Sequence, residues 1–588
     1  MKKTKIVSTL GPASNNLETI SKLIESGANV FRFNFSHGDH EEQLGRMTLV
    51  HEAVKKTGKD VGILLDTKGA EIRTTVQGTD SGKIEFEIGD IVRISMDGEL
   101  VGSKEKIAVT YPGLFDDVHV GGHILFDDGL IDMLITEKDE ATKELVTEVQ
   151  NAGLLGSRKG VNAPGVSISL PGITEKDADD IRFGCDNDID YIAASFVRKA
   201  QDVLDIREIL EEKNMTHVQI ISKIESQEGI DNVDEILKVS DGIMVARGDM
   251  GVEIPPEEVP MVQKMIIKKC NAAGKVVVTA TQMLESMQQN PRPTRAEASD
   301  VANAVFDGTD ATMLSGESAN GDYPVESVAT MARIDMEAEK ALQELGTFQI
   351  NEFDKTDVTE TIGIAVARAA KNLGVKTIVA ATESGHTARM ISKYRPDANI
   401  LAVTFDERTK RGLMLNWGVF PTVAEKPSTT DEMFDLATKK AVELGFAKEG
   451  DLILITAGVP VGERGTTNVM KIQLIGSKLL EAQGVGEKAV VANAVVAKSA
   501  EEAIAKAKDG MVLVVPTTDK EYMPAFEKAA AVIVEEGGLT SHAAVVGIAK
   551  DIPVIVGAAD ATTKIEDGEL VTVDPRRGIV YRGETTAI

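Results

Sequence analysis

Apolar residues in the first half of the chain recur as eight short runs rich in β-branched side chains: "KIVSTLG", "VFRFNFS", "VGILLDTKG", "YIAASFV", "VQIISKIE", "GIMVARGD", "VVVTATQ" and "ATMLSGE". Between them lie stretches with helical spacing and glycine stops, such as "NNLETISKLIESG" and "KAQDVLDIREILEEK". Short strands alternating with helices predict a parallel α/β fold, and eight such repeats predict a closed (βα)8 barrel. An open doubly wound sheet is the alternative. One run stands out: in "VFRFNFSHG" Phe31, Phe33 and Phe35 alternate with Arg32, Asn34 and Ser36. In a strand covered on both faces, that alternation puts an arginine, an amide and a hydroxyl inside the protein.

The repeat is interrupted and then extended. Residues 72–163 carry short alternating runs between Gly and Asp turns, which predicts a small β lid inserted in a βα loop of a barrel formed by 1–71 and 164–345. The βα rhythm resumes over 346–473 as an expected α/β regulatory domain. Residues 474–588 form a last folded unit, entered through "SKLLEAQGVGEKAVVA", which reads as helix-rich.

Composition narrows the function. With 64 basic and 93 acidic residues the net charge is −29, which argues against nonspecific binding to nucleic acid or to an anionic membrane. No apolar run approaches bilayer length and no signal-like region precedes the first strand, so a cytoplasmic protein is expected. Cys185 and Cys270 read as two free thiols. An anionic ligand must therefore meet locally placed cations and amides.

Such groups collect at the C-terminal ends of the predicted strands, where barrel enzymes place their chemistry. Glu225 and Asp249 offer hard oxygen ligands suited to Mg²⁺. Asn34, Ser36, Asp66 and Thr67 offer neutral oxygens and one carboxylate, a set for a monovalent cation or for water. Arg32, Arg73 and Lys223 are cations for phosphoryl oxygens. Gly248, Thr281 and Ser315 complete the rim; a lone Thr or Ser is more often a hydrogen-bonded core residue or a helix cap, and it is their convergence on one rim that points to function. No GxxxxGK[ST] occurs, so the pattern is phosphoryl transfer by charge placement without a P-loop.

"FRFNFSHG", "LDTKGAEIR", "SRKGVN", "IISKIES", "VARGDMGVEIP", "ATQMLESM", "PRPTRAEASDVANAV" and "MLSGESANGDYP" together resemble the pyruvate kinase family, over residues 1 to 473. The resemblance implies transfer of phosphate from phosphoenolpyruvate to ADP, giving pyruvate and ATP, with Mg²⁺ (or Mn²⁺) and K⁺ as cofactors. It implies Arg32, Lys223, Gly248, Asp249 and Thr281 at substrate. Arg73, Lys159, Asn34, Ser36 and His37 would lie at the nucleotide. Glu225 and Asp249 would hold Mg²⁺, and Asn34, Ser36, Asp66 and Thr67 would hold K⁺. Lys223 would stabilise the phosphoryl group, with Arg73 assisting. A water on Thr281 would protonate the enolate, with Ser315 as relay. Glu71 goes with K⁺ dependence in this family. Ala70 stands where a proline is common and Met250 where a leucine is common, and neither removes a ligand. A homotetramer is implied.

Regulation is read from "ATESGHTARMISKY", where Thr382, Ser384, Gly385, His386 and Thr387 open a helix, an anion site by residue type or an ordinary cap. With "GVPVGERGTTN" it resembles the family's loops for a phosphorylated effector, a sugar phosphate or a nucleotide. Glu383 speaks against fructose 1,6-bisphosphate. "GGLTSHAAVVG" resembles the phosphohistidine domain of phosphoenolpyruvate-utilising enzymes, with His542 at the histidine; a structural or regulatory role is expected for it, since no partner domain to feed His542 is visible. Two other classes are a phosphohistidine carrier working through His542 and a metabolite sensor that has lost catalysis; the latter predicts a missing barrel ligand, and none is missing.

Overall fold

The computed structural model describes residues 1–345, 358–459, 467–476 and 478–585. Eight parallel strands close into a barrel: β1 (Lys5–Thr9), β2 (Val30–Asn34), β3 (Gly62–Asp66), β4 (Tyr191–Ala194), β5 (Gln219–Ile224), β6 (Gly242–Ala246), β7 (Val276–Ala280) and β8 (Ala311–Leu314). Lys5 pairs with Ala311 and Ile6 with Thr312, sealing β1 to β8. This is the (βα)8 architecture expected, and it excludes the open sheet.

Parity decides which residues the barrel encloses. Val7, Val30, Leu64, Tyr191, Ala193, Ile221 and Met244 pack inside it, whereas Phe31, Phe33 and Phe35 pack with the helix layer. Arg32 and Asn34 share the parity of Val30 and so face the interior. The alternation met in the sequence is therefore a strand buried on both faces with a polar upper end.

Between β3 and β4 the chain builds a seven-stranded and a two-stranded sheet around Phe86, Val92, Ile94, Phe115 and Phe126. The whole chain divides into two compact units. The first comprises 1–356 together with 383–395 and 404–424, so two stretches within 346–473 group with the barrel. Met414 and Leu415 of the second stretch join the barrel's interior cluster. Tyr191, fully buried, donates its hydroxyl to the Arg411 carbonyl at 2.8 Å and accepts from the Leu415 amide at 3.3 Å. The lower mouth is thus floored by chain far away in sequence.

In the second unit, strands Thr377–Ala381, Asn399–Thr404 and Leu452–Ala457 run parallel, and Val469–Leu474 pairs antiparallel to Leu452–Ala457. The last part is an eight-stranded sheet. Here the expected helix-rich connector is wrong: it forms strands Lys478–Glu481, Gln483–Val485 and Val490–Val496. Leu480 is buried in the sheet's core, and a Cβ on Gly484 would lie 1.9 Å from the Pro575 carbonyl oxygen. Close backbone approach and tertiary pairing outweigh the local helical spacing. No helix among the described residues is long and apolar enough to cross a membrane.

Candidate active site

The upper ends of β1 to β5 form one buried ionic network. Arg32 donates from Nε to Asp66 Oδ2 at 2.5 Å and from a terminal nitrogen to Thr9 Oγ1 at 3.2 Å. Lys223 Nζ donates to Ser195 Oγ at 2.8 Å and to Asp66 Oδ1 at 3.3 Å, and it stands 3.0 Å from Glu225 Oε1. Asp66 and Glu225 are each 1% exposed, Arg32 and Lys223 each 9%. Two carboxylates and two cations thus share one desolvated pocket, where each depends on its partners to offset the cost of burial.

The electrostatics follow from that arrangement. Burial alone would raise the Asp66 carboxyl, yet Arg32 and Lys223 hold it below its usual range. Burial would lower Lys223, but Asp66 and Glu225 outweigh it and push the ammonium up. Glu225 goes the other way: burial raises it to about 7, with Asp249 adding to the rise and Lys223 opposing it. Its Oε2 accepts the Phe196 amide at 2.5 Å, while Oε1 receives no well-directed hydrogen bond. Only the Lys223 ammonium, 3.0 Å away, approaches that oxygen, and the Asp249 carboxylate lies in the helix Arg247–Glu253 nearby.

The remaining rim is held by backbone. Asn34 Oδ1 accepts the Ser36 amide at 3.0 Å, and Gln43 donates to the carbonyls of Asn34 and His37 at 3.0 and 2.9 Å, fixing that turn. Ser36 is half-buried and His37 exposed. Thr67 Oγ1 accepts the Ser195 amide at 3.0 Å. Thr281 holds φ at 70° and Phe196 at 53°, a region that costs side-chain-bearing residues energy and persists where surroundings enforce it. Enforcement at Thr281 comes from Arg247, which donates to the Thr281 carbonyl at 2.7 Å and pairs with Asp300 at 2.7 Å. Thr281 Oγ1 in turn accepts the Gly248 amide at 2.8 Å. The Ser315 amide donates to Glu317 at 2.8 Å.

Beside this network opens a cavity of about 510 Å³, lined among others by Arg73, Lys159, Asp127, Asp128, Arg198 and Asp249. Arg73 is gripped by Glu71 through two bonds of 2.7 and 2.9 Å, which raise its basicity. Lys159 pairs with Asp127 at 2.9 Å. Asn34, Ser36 and His37 are not among the residues lining it. Asp128 is pushed up by burial and by Asp249 and Asp127. Among the described residues no group of three or more His, Cys, Asp or Glu could hold a metal ion, so a dication here would rest on two carboxylates and non-protein oxygens.

Sequence reasoning missed Ser195, Phe196, Arg247 and Asp128. Parity could have found Ser195, since Tyr191 and Ala193 face inward and the next such position is 195. Elsewhere, the helix His386–Lys393 opens after Gly385 at φ 80°, with the Ser384 carbonyl accepting from Arg389 at 2.7 Å; Thr382 and Thr387 are buried. Within "GVPVGERGTTN", residues 460–466 lie outside the described residues. His542 begins the helix His542–Lys550, with Nδ1 3.3 Å from Thr518 Oγ1.

Fold and rim together define a (βα)8-barrel enzyme equipped to stabilise negative charge with fixed cations. The pyruvate kinase barrel domain matches residues 1–328, the pyruvate kinase alpha/beta domain 360–473, and the mobile domain of PEP-utilising enzymes 507–578. The chain is 64% identical to a pyruvate kinase of Lactobacillus delbrueckii subsp. bulgaricus over 100% of both chains. It is 56% identical to those of Bacillus licheniformis and Geobacillus stearothermophilus, again over 100% of both chains. A crystal structure of a Cryptosporidium parvum pyruvate kinase superposes with a TM-score of 0.76 at 40% identity, covering 80% of this chain and 96% of that one. The chain belongs to the pyruvate kinase family, enzymes that transfer the phosphoryl group of phosphoenolpyruvate to ADP and release pyruvate and ATP.

Proposed function

We propose that the buried network of Arg32, Asp66, Lys223 and Glu225 is the phosphoryl-transfer centre of this enzyme. The observation that carries the reading is Lys223: a buried ammonium held charged by Asp66 and Glu225 at the end of β5. Phosphoenolpyruvate sits against Arg32, Gly248, Asp249 and Thr281, and ADP against Arg73, Lys159, Asn34, Ser36 and His37. Attack by the terminal phosphate oxygen of ADP breaks the bond between phosphorus and the enol oxygen. Lys223, with Arg73 beyond it, faces the equatorial oxygens as charge spreads over them. The enolate left behind takes a proton at carbon from a water on Thr281, with Ser315 as relay.

Glu225 and Asp249 would hold Mg²⁺ or Mn²⁺, which when bound neutralises phosphate and enolate oxygens; Glu225 Oε1, buried with no hydrogen bond of good geometry although Lys223 stands 3.0 Å from it, supports this donor set. Asn34, Ser36, Asp66 and Thr67 would hold K⁺, and Glu71 marks the chain as needing it. Thr382, Ser384, Gly385, His386 and Thr387 would receive a phosphorylated effector, a sugar phosphate or a nucleotide, and the enzyme would work as a cytoplasmic homotetramer. The part bearing His542 serves a structural or regulatory role.

The test is pyruvate formation from phosphoenolpyruvate and ADP with Mg²⁺, comparing K⁺ with tetramethylammonium. Turnover that requires both ions supports the assignment; turnover without K⁺ removes the monovalent site; no turnover with effectors present would shift attention to His542.

A further inference from the structure

The strands that lead to Glu225 and to Asp249 are each followed by a short helix, and each helix is touched by the inserted β region or the chain returning from it. Asn162, at the end of strand Gly160–Asn162, donates from Nδ2 to Glu253 Oε1 at 2.6 Å. Glu253 closes the helix Arg247–Glu253, one turn beyond Asp249. Ser167, on the chain returning to the barrel, donates to Glu228 at 3.1 Å; Glu228 lies in helix Gln227–Asp231, three residues after Glu225. All four side chains line the cavity of about 510 Å³ that also holds Arg73, Lys159 and Asp249.

The two contacts differ in weight. Ser167 is exposed and its bond competes with water, whereas Glu253 is half-buried. Burial raises the Glu253 carboxyl and Asp249 adds to that, while the Asn162 bond pulls it back. A charge-assisted bond away from bulk water is the stronger kind. Without its donor, Glu253 is left facing Asp249 with one partner fewer.

We infer that Asn162 and Glu253 form a latch through which the inserted lid positions the Asp249-bearing helix, making both positioning residues for the reaction. The same bond that seats the lid over the cavity fixes the distance between Asp249 and Glu225, so nucleotide cover and metal-site geometry are set together. A loosened lid admits water, which can take the phosphoryl group of phosphoenolpyruvate in place of ADP, giving pyruvate and inorganic phosphate. The inference rests on reading Glu225 and Asp249 as metal ligands.

The experiment titrates Mn²⁺ into the full-length, nucleotide-free protein by electron paramagnetic resonance and, separately, measures pyruvate against ATP formed. Asn162→Ala should weaken Mn²⁺ binding about tenfold, the size of one charge-assisted bond, and raise the pyruvate-to-ATP ratio above one. Adding Glu253→Ala should change little further, because both substitutions break the same bond. Glu253→Gln keeps an acceptor for Asn162 and should retain a ratio near one; Ser167→Ala should have the smaller effect. Asn162→Ala with both readouts as in the parent overturns the latch. Asp249→Asn serves as the separate control: undiminished Mn²⁺ binding there removes the ligand assignment itself, whatever Asn162→Ala does. Thermal unfolding of each variant shows whether a change reflects the latch or a damaged fold.

Discussion

Arg32 and Asp66 meet at 2.5 Å, guanidinium to carboxylate, one strand apart on β2 and β3. The other oxygen of Asp66 faces Lys223, so one carboxylate pairs with two buried cations, the second of which Glu225 also approaches at 3.0 Å. Asp66→Asn removes that charge without changing shape. The expected cost is about 3 kcal/mol in urea unfolding, with turnover also lost, because two charges are left buried and underpaired. A change below about 1 kcal/mol would mean that solvent reaches Arg32 and Lys223 far more readily than their burial implies.

Lys223→Met separates binding from chemistry. If the ammonium acts mainly on charge that develops in flight, kcat falls by about 10³-fold while KM for phosphoenolpyruvate moves little. An equal rise in KM with kcat preserved would make Lys223 a ground-state contact instead. Steady-state kinetics at saturating Mg²⁺ decides between them.

A third expectation concerns pH and the base of the barrel. Lys5 is buried, donates to the Val419 carbonyl at 2.5 Å and lies 4.7 Å from the centre of the Phe420 ring. Burial and neighbouring Lys2 bring its pKa down to about 7, against the pull of Glu339. A lysine depressed in the folded state binds more protons when unfolded. Its contribution is therefore present at high pH and is lost as pH falls toward 7. Relative to Lys5→Met, the parent should gain stability between pH 7 and 10 at up to about 1.4 kcal/mol per unit, measured by denaturant titration. A flat difference would show that Lys5 stays charged throughout.

How much of this was legible beforehand depends on range. Strand parity placed Arg32 and Asn34 inside the protein because a period of two is local and survives any tertiary setting. Phe196 and Arg247 were not legible, since one acts through its backbone amide and an uncommon φ and the other by clamping a neighbouring turn. Neither role leaves a mark on residue type. The connector after 474 misled for a related reason: its spacing suits a helix, but Gly484 must pass against Pro575 and Leu480 must enter a sheet. The floor of the barrel was invisible too, because Met414 and Leu415 are distant from every strand they touch.

That floor has a consequence for anyone dissecting the chain. The barrel-domain match ends at residue 328, yet the residues that stop its lower mouth lie between 404 and 424. A fragment cut where sequence similarity ends would expose the Tyr191 hydroxyl and the apolar interior around it to water. The heritable module and the foldable one are different objects here, and a graft of the catalytic barrel onto another protein must carry the later segment with it.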